Sequence, residues 1–197
     1  MTNANLFAKY AAVLSRPNFT SATGSPLPAD LLIESDGDLS VYYAPFDHVS
    51  HDAKIVLVGI TPGMTQARLA LDSAAASLNR GETPEGALSE AKVHASFGGA
   101  LRNNLVQILD YLGLASSLGV ATTMDLFSKD STLAHFTSVL RYPVFVNGKN
   151  YSGNPDPMKE DILKRNLAYF EAEAKALSHC LFIPLGKLPN SVLKKLS

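Results

Sequence analysis

The chain has 197 residues, 46% hydrophobic and 18% charged, with a formal net charge of −1; that suits one sizeable core in a single globular domain. Near-zero charge gives no global attraction to nucleic acid, although a local basic groove escapes such a count. The lone cysteine, Cys180, excludes an internal disulfide and a cysteine-held zinc or iron–sulfur site, and no apolar run approaches the ~18 residues of a membrane span.

Leu6, Phe7, Tyr10 and Leu14 fall at helical spacing and Pro17 stops the pattern, so an amphipathic helix opens the chain. Lys9 and Arg16 interrupt the apolar residues there, unlike the layout of a signal peptide, and cytoplasmic residence is expected. Two β-prone runs around Asp36-Gly37 predict a hairpin. Ile55 to Val58 is a continuous apolar run, the pattern of a central strand covered on both faces. A helix follows from Thr65 through Leu71, Ala75 and Leu78 until Gly81 and Pro84 break it. Leu101, Leu105, Ile108 and Leu112 make a second helical stripe, and Asn147-Gly148 predicts a turn between short extended segments. Lys159 to Leu177 reads as a helix, Cys180 to Lys187 contains a buried strand, and Pro189 to Ser197 starts a further helix. Strands alternating with helices predict a three-layer α/β/α domain with a largely parallel central sheet.

The stretch V-G-I-T-P-G, Val58 to Gly63, joins the first predicted central strand to its helix. In open α/β sheets ligands bind at such strand ends, where helix N-termini present unpaired N–H groups. Gly59 and Gly63 permit close backbone approach, Pro62 fixes the turn, and the Thr61 hydroxyl can hold a water or an anion. The same residues also suit a plain strand-to-helix turn, capped by Thr65, that binds nothing. The stretch is neither G-x-G-x-x-G nor G-x-x-x-x-G-K-[ST], so it gives no support to nicotinamide dinucleotide binding or P-loop chemistry.

V-G-I-T-P-G resembles the first active-site motif of the uracil-DNA glycosylase superfamily, above all the G-I-N-P-G form of the mismatch-specific uracil glycosylases. A-S-F-G-G-A-L-R-N-N, H-F-T-S-V-L-R-Y-P-V-F and C-L-F-I-P-L-G-K resemble, in order, its Phe-Gly segment, its base-reading strand and the strand before its His-Pro-Ser loop. The resemblance spans about Val56 to Lys187. It implies an enzyme that hydrolyses the N-glycosidic bond of uracil or a related damaged base, on single-stranded or mismatched duplex DNA, with no cofactor and no metal. Gly59, Ile60, Pro62 and Gly63 would then frame the base, Phe97 would stack on it, and Ser138 would stand where the family reads uracil with an asparagine. Arg141 follows closely and reads equally as a contact to phosphate or a base and as a solvated arginine; Lys187, among the basic residues near the tail, reads either as a phosphate contact or as a solvated lysine.

Two departures bear on catalysis. Thr61 occupies the position of the family's water-holding Asn, Asp or Glu, and a hydroxyl is no useful general base near neutral pH. Gln66 and Asp72, on the following helix, are in sequence reach of the same water. The sequence ends at Ser197 before any His-Pro-Ser segment, which reads as a possible truncation and leaves weak or lost activity expected. The alternatives are a non-catalytic nucleobase- or DNA-binding module and an enzyme acting on a small nucleotide or phosphorylated metabolite. His48 and His51, flanked by Asp47 and Asp52, read as a plain loop rather than a metal site, and His94 as a surface histidine ending a helix.

Overall fold

A computed structural model describes residues 3–14, 16, 19 and 25–196. Pro17, the expected stop of the first helix, lies outside the described residues. The chain runs α1 (Asn3–Leu14), β1 (Leu32–Asp36), β2 (Leu39–Tyr42), β3 (Ile55–Gly59), α2 (Met64–Asn79), α3 (Pro84–Ala95), α4 (Ala100–Tyr111) and α5 (Leu114–Leu118). It continues through β4 (Ala134–Ser138), β5 (Val144–Val146), β6 (Lys149–Asn150), α6 (Asp161–Ala176), β7 (Leu181–Pro184) and α7 (Lys187–Leu196). The result is mixed α/β, and no helix among the described residues is long and apolar enough to cross a membrane.

Strands β4, β3 and β7 pair in that order as a parallel sheet, with β3 in the middle. Ile55, Val56, Leu57 and Val58 are each at most 2% exposed, as their unbroken apolar run requires. Because side chains alternate across a strand, Val56 and Val58 join the larger apolar cluster with α1, α2, α3 and α6, while Ile55 and Leu57 join a smaller one with Leu105, Leu109, Phe127 and Phe136. Burial of each such side chain contributes about 1.5–3 kcal/mol.

The two predicted turns close hairpins, but their strands form a second sheet, antiparallel, in the order β1-β2-β5-β6. A two-residue turn can only join antiparallel neighbours, so these segments lie outside the parallel sheet. The break at Gly81 is followed by α3, of which the sequence reading named only the end at His94, with Pro84 in its first turn and Thr83 as N-cap, accepting from the Gly86 N–H. The Leu101–Leu112 stripe is helical, yet Leu101, Ile108 and Leu112 are 54%, 57% and 70% exposed; only Leu105 is buried.

Candidate functional site

Gly59 and Ser138 are register partners at the carboxyl ends of β3 and β4, and the chain beyond each runs alongside the other: the N–H groups of Val139 and Leu140 donate to the carbonyls of Gly59 and Ile60. Phe97 lies against this pair. A Cβ added to Gly59 would sit 3.3 Å from Ser138 Oγ and 3.4 Å from Phe97 Cε1, so glycine there lets the ring approach the strand. Phe97 is half-buried, holds φ at 52° and meets Phe136 edge to face at 6.1 Å. That backbone conformation costs a non-glycine residue about 1–2 kcal/mol. Arg102 fixes it from behind: its Nη2 donates to the carbonyls of Val93, His94 and Ser96 at 2.7–3.0 Å, and its guanidinium lies over Phe127.

The turn is wired differently from expectation. Thr61 Oγ1 donates to the Tyr142 carbonyl (3.1 Å) and accepts from the Val144 N–H (3.3 Å), so its hydroxyl clamps the turn to the start of β5 rather than presenting a donor to a reacting water. Gln66 Oε1 accepts from the Gly63 N–H (3.1 Å), and its amide makes a long contact to the Gly98 carbonyl (3.5 Å); it caps α2 and braces the Phe97 loop. The Met64 N–H donates to Asn150 Oδ1 at 2.9 Å. Two of the helix N-terminal donors that an anion would use are therefore occupied by side-chain amides. A Cβ at Gly63 would fall 2.9 Å from Gln66 Oε1, so any larger residue there would push the Gln66 amide aside. Thr61 and Gln66 thus hold the turn and the start of α2 in place, and Gly63, not Thr65, is the N-cap.

These elements enclose a cavity of about 520 Å³, within the ~300–1,000 Å³ of small-molecule sites. Gly59, Ile60, Thr61, Pro62, Gly63, Gln66, Phe97, Ser138 and Arg141 all line it. Lys187 does not: it is exposed at the start of α7, and Asp72 faces solvent on α2, also outside the lining. Phe97, Phe136, Leu105 and Leu185 form an apolar side; Lys92, Thr137 and Arg141, each at most 8% exposed, form a polar one. No aspartate, glutamate or histidine is among the lining residues described.

Behind the polar side lies a buried network. Glu173 Oε1 accepts from Lys92 Nζ (2.8 Å) and from His135 Nε2; Oε2 accepts from Thr137 Oγ1 (3.0 Å) and from Arg141 Nε and Nη2 (3.1 and 2.8 Å). Arg141 is 1% exposed, which corrects its reading as a solvated arginine. Burial alone raises a carboxyl pKa, but the two cations hold Glu173 well below the usual carboxylate range. His135 is pushed down to about 4, first by burial and then by Lys92. The Ser50 N–H donates to its Nδ1 (3.3 Å), so the neutral ring carries its proton on Nε2, toward Glu173. Asp47 accepts from Tyr43 and Tyr142 (3.0 and 2.5 Å), and burial raises its pKa. Among the described residues there is no group of three or more His, Cys, Asp and Glu that could hold a metal ion.

Sequence reasoning missed Lys92, His135, Thr137 and Glu173. One signal was present: Asn166, Phe170 and Glu173 recur at helical spacing on the buried stripe of α6, so the glutamate falls where an apolar residue belongs.

No protein-family model matches the chain, and no solved structure matches it. A curated relative, "Uncharacterized protein YoxB" of Bacillus subtilis (strain 168), is 35% identical over 182 residues, spanning 90% of this chain and 71% of the relative. That extent of similarity makes the chain a member of the YoxB family.

Proposed function

We propose that the cavity at the ends of β3 and β4 binds a single nucleobase, with Phe97 as stacking platform, in a three-layer α/β/α fold of the uracil-DNA glycosylase kind. The observation that carries this is the convergence of Phe97, Gly59 and Ser138 on one cavity wall, with Phe97 held at positive φ and its ring half-exposed. Residues far apart in sequence meet where the resemblance requires a base platform beside a base-reading position. Side chains on both faces of the parallel sheet support the layered fold. The chemistry favours binding over hydrolysis: the one proton of the Thr61 hydroxyl is given to the Tyr142 carbonyl, and the lining residues described include no carboxylate or imidazole as general base. DNA with an extruded base is the ligand source the resemblance implies; a free nucleotide presents the same ring.

The test is equilibrium binding of uridine and of a uracil-containing single-stranded oligonucleotide to the protein and to Phe97→Ala, beside a single-turnover assay of base release. Stacking on an aromatic platform contributes about 1–3 kcal/mol per base, so Phe97→Ala should weaken binding roughly 5- to 150-fold while base release stays at background. Binding indifferent to Phe97→Ala would remove the platform from the reading, and release well above background would restore a hydrolase.

A further inference from the structure

We infer that Asn150 selects the ring held by Phe97: the fold fixes its side-chain amide as a pure donor on the cavity wall, so the site admits a base that turns a ring carbonyl there and rejects one that turns an amino group. The inference rests on the nucleobase reading and deepens it, from any single base to a base of the uracil rather than the cytosine type.

The first support is the fixed amide. Asn150 ends β6, paired with Phe145 of β5, and it is an exposed residue that lines the cavity. Its Oδ1 accepts from the Met64 N–H at 2.9 Å, at the start of α2. A backbone N–H can only donate, so the amide oxygen must face Met64 and the nitrogen must face away from it. Nδ2 makes no hydrogen bond among the described residues. A Cβ at Gly63 would sit 3.2 Å from Nδ2, so glycine at that position leaves the space beside the nitrogen clear.

The second support is that the neighbouring polar groups cannot make this choice. The hydroxyls of Thr61 and Thr137 are given to the Tyr142 carbonyl and to Glu173, and the Gln66 amide is spent on Gly63 and Gly98. Ser138 and Asn104 line the cavity and make no hydrogen bond among the described residues. A hydroxyl rotates to donate or accept, and an amide bonded at neither end turns either one inward, so both serve uracil and cytosine alike. The Gln66 amide runs from Gly63 to the carbonyl beside Phe97, which sets Asn150 one side chain away from the platform loop. A ring lying on Phe97 turns its edge to that wall. There the oxo group of uracil accepts from Nδ2, whereas the amino group of cytosine brings donor against donor and leaves both unpaired.

The experiment is calorimetric titration of the full chain with uridine and with cytidine, repeated on Asn150→Asp and Asn150→Ala. Asn150→Asp keeps an oxygen for the Met64 N–H and sets a negative charge at the N-terminus of α2, where it is favourable, so its melting temperature should not fall. Toward the ligand it exchanges a donor for an acceptor. The unaltered protein should bind uridine roughly five- to twentyfold more tightly than cytidine, and Asn150→Asp should reverse that order. Asn150→Ala, which removes the donor and adds no acceptor, should bind the two alike; where circular dichroism shows it melted, Asn150→Asp alone decides. A uridine preference that survives in Asn150→Asp, or one that shrinks only in step with a falling melting temperature, overturns the assignment to Asn150. Equal affinity for the two nucleosides in the unaltered protein, both lost in Phe97→Ala, overturns the selection and leaves the nucleobase reading standing. Absence of all nucleoside binding overturns both.

Discussion

Glu173→Gln is the sharpest perturbation of the buried network, because it preserves shape while removing the charge that two cations share. The wild-type carboxylate accepts from Lys92, His135, Thr137 and Arg141 at once. In the amide one acceptor oxygen becomes an NH2 group that faces a donor, and both cations lose their counter-charge in a site where all three residues are at most 3% exposed. Removing one partner of a buried ion pair costs about 3–5 kcal/mol. Against a total stability of roughly 5–15 kcal/mol, and at about 2–4 °C per kcal/mol for a chain of this length, the melting temperature should fall by roughly 6–20 °C. The pH dependence gives a second reading. Burial already lowers the Lys92 pKa, and loss of Glu173 lowers it further. The unfolded state then binds more protons than the folded state as pH approaches the ordinary lysine value, so the stability of the variant rises with pH. Calorimetric melts at about pH 7 and pH 9 should show a smaller deficit at the higher pH. A deficit below about 2 °C, or one that grows with pH, refutes the account of Glu173 as the counter-ion of Lys92 and Arg141.

Acid should unfold the protein through His135 before the carboxylates titrate: with its folded pKa near 4 against an ordinary 6.5, stability is full above about pH 6.5 and is lost as pH falls toward 4, by about 3 kcal/mol over the window. Urea midpoints across that range, with an NMR titration of the His135 ring, check this; a flat profile or a His135 titration near 6.5 contradicts it. Thr61→Val should lower stability by about 1–3 kcal/mol through loss of the bonds to Tyr142 and Val144, and Thr61→Ser should retain most of it. A valine variant of unchanged denaturation midpoint would show that the hydroxyl does not clamp the turn.

How much of the site can be read in sequence follows from the range of the forces that build it. The apolar run at Ile55–Val58, the Asp36-Gly37 and Asn147-Gly148 turns and the helix that opens after Pro62 are specified by neighbours a few residues apart, and each stands in the structure. Local periodicity also places Leu101, Leu105 and Ile108 on one face of α4, with Leu112 just past its end, yet it carries no information about what covers that face, and three of the four are exposed. The occupation of the Thr61 hydroxyl depends on residues 142 and 144, and the clustering of Lys92, His135, Arg141 and Glu173 joins side chains from α3, β4, the segment after β4 and α6. A hydrogen bond or an ion pair is decided by separations of about 3 Å, which packing alone sets. The sequence by itself determined the strands, the turns and the residue types at their ends; tertiary structure decided which polar groups spend their bonding on the fold and which, like Asn150 Nδ2, keep a donor unspent.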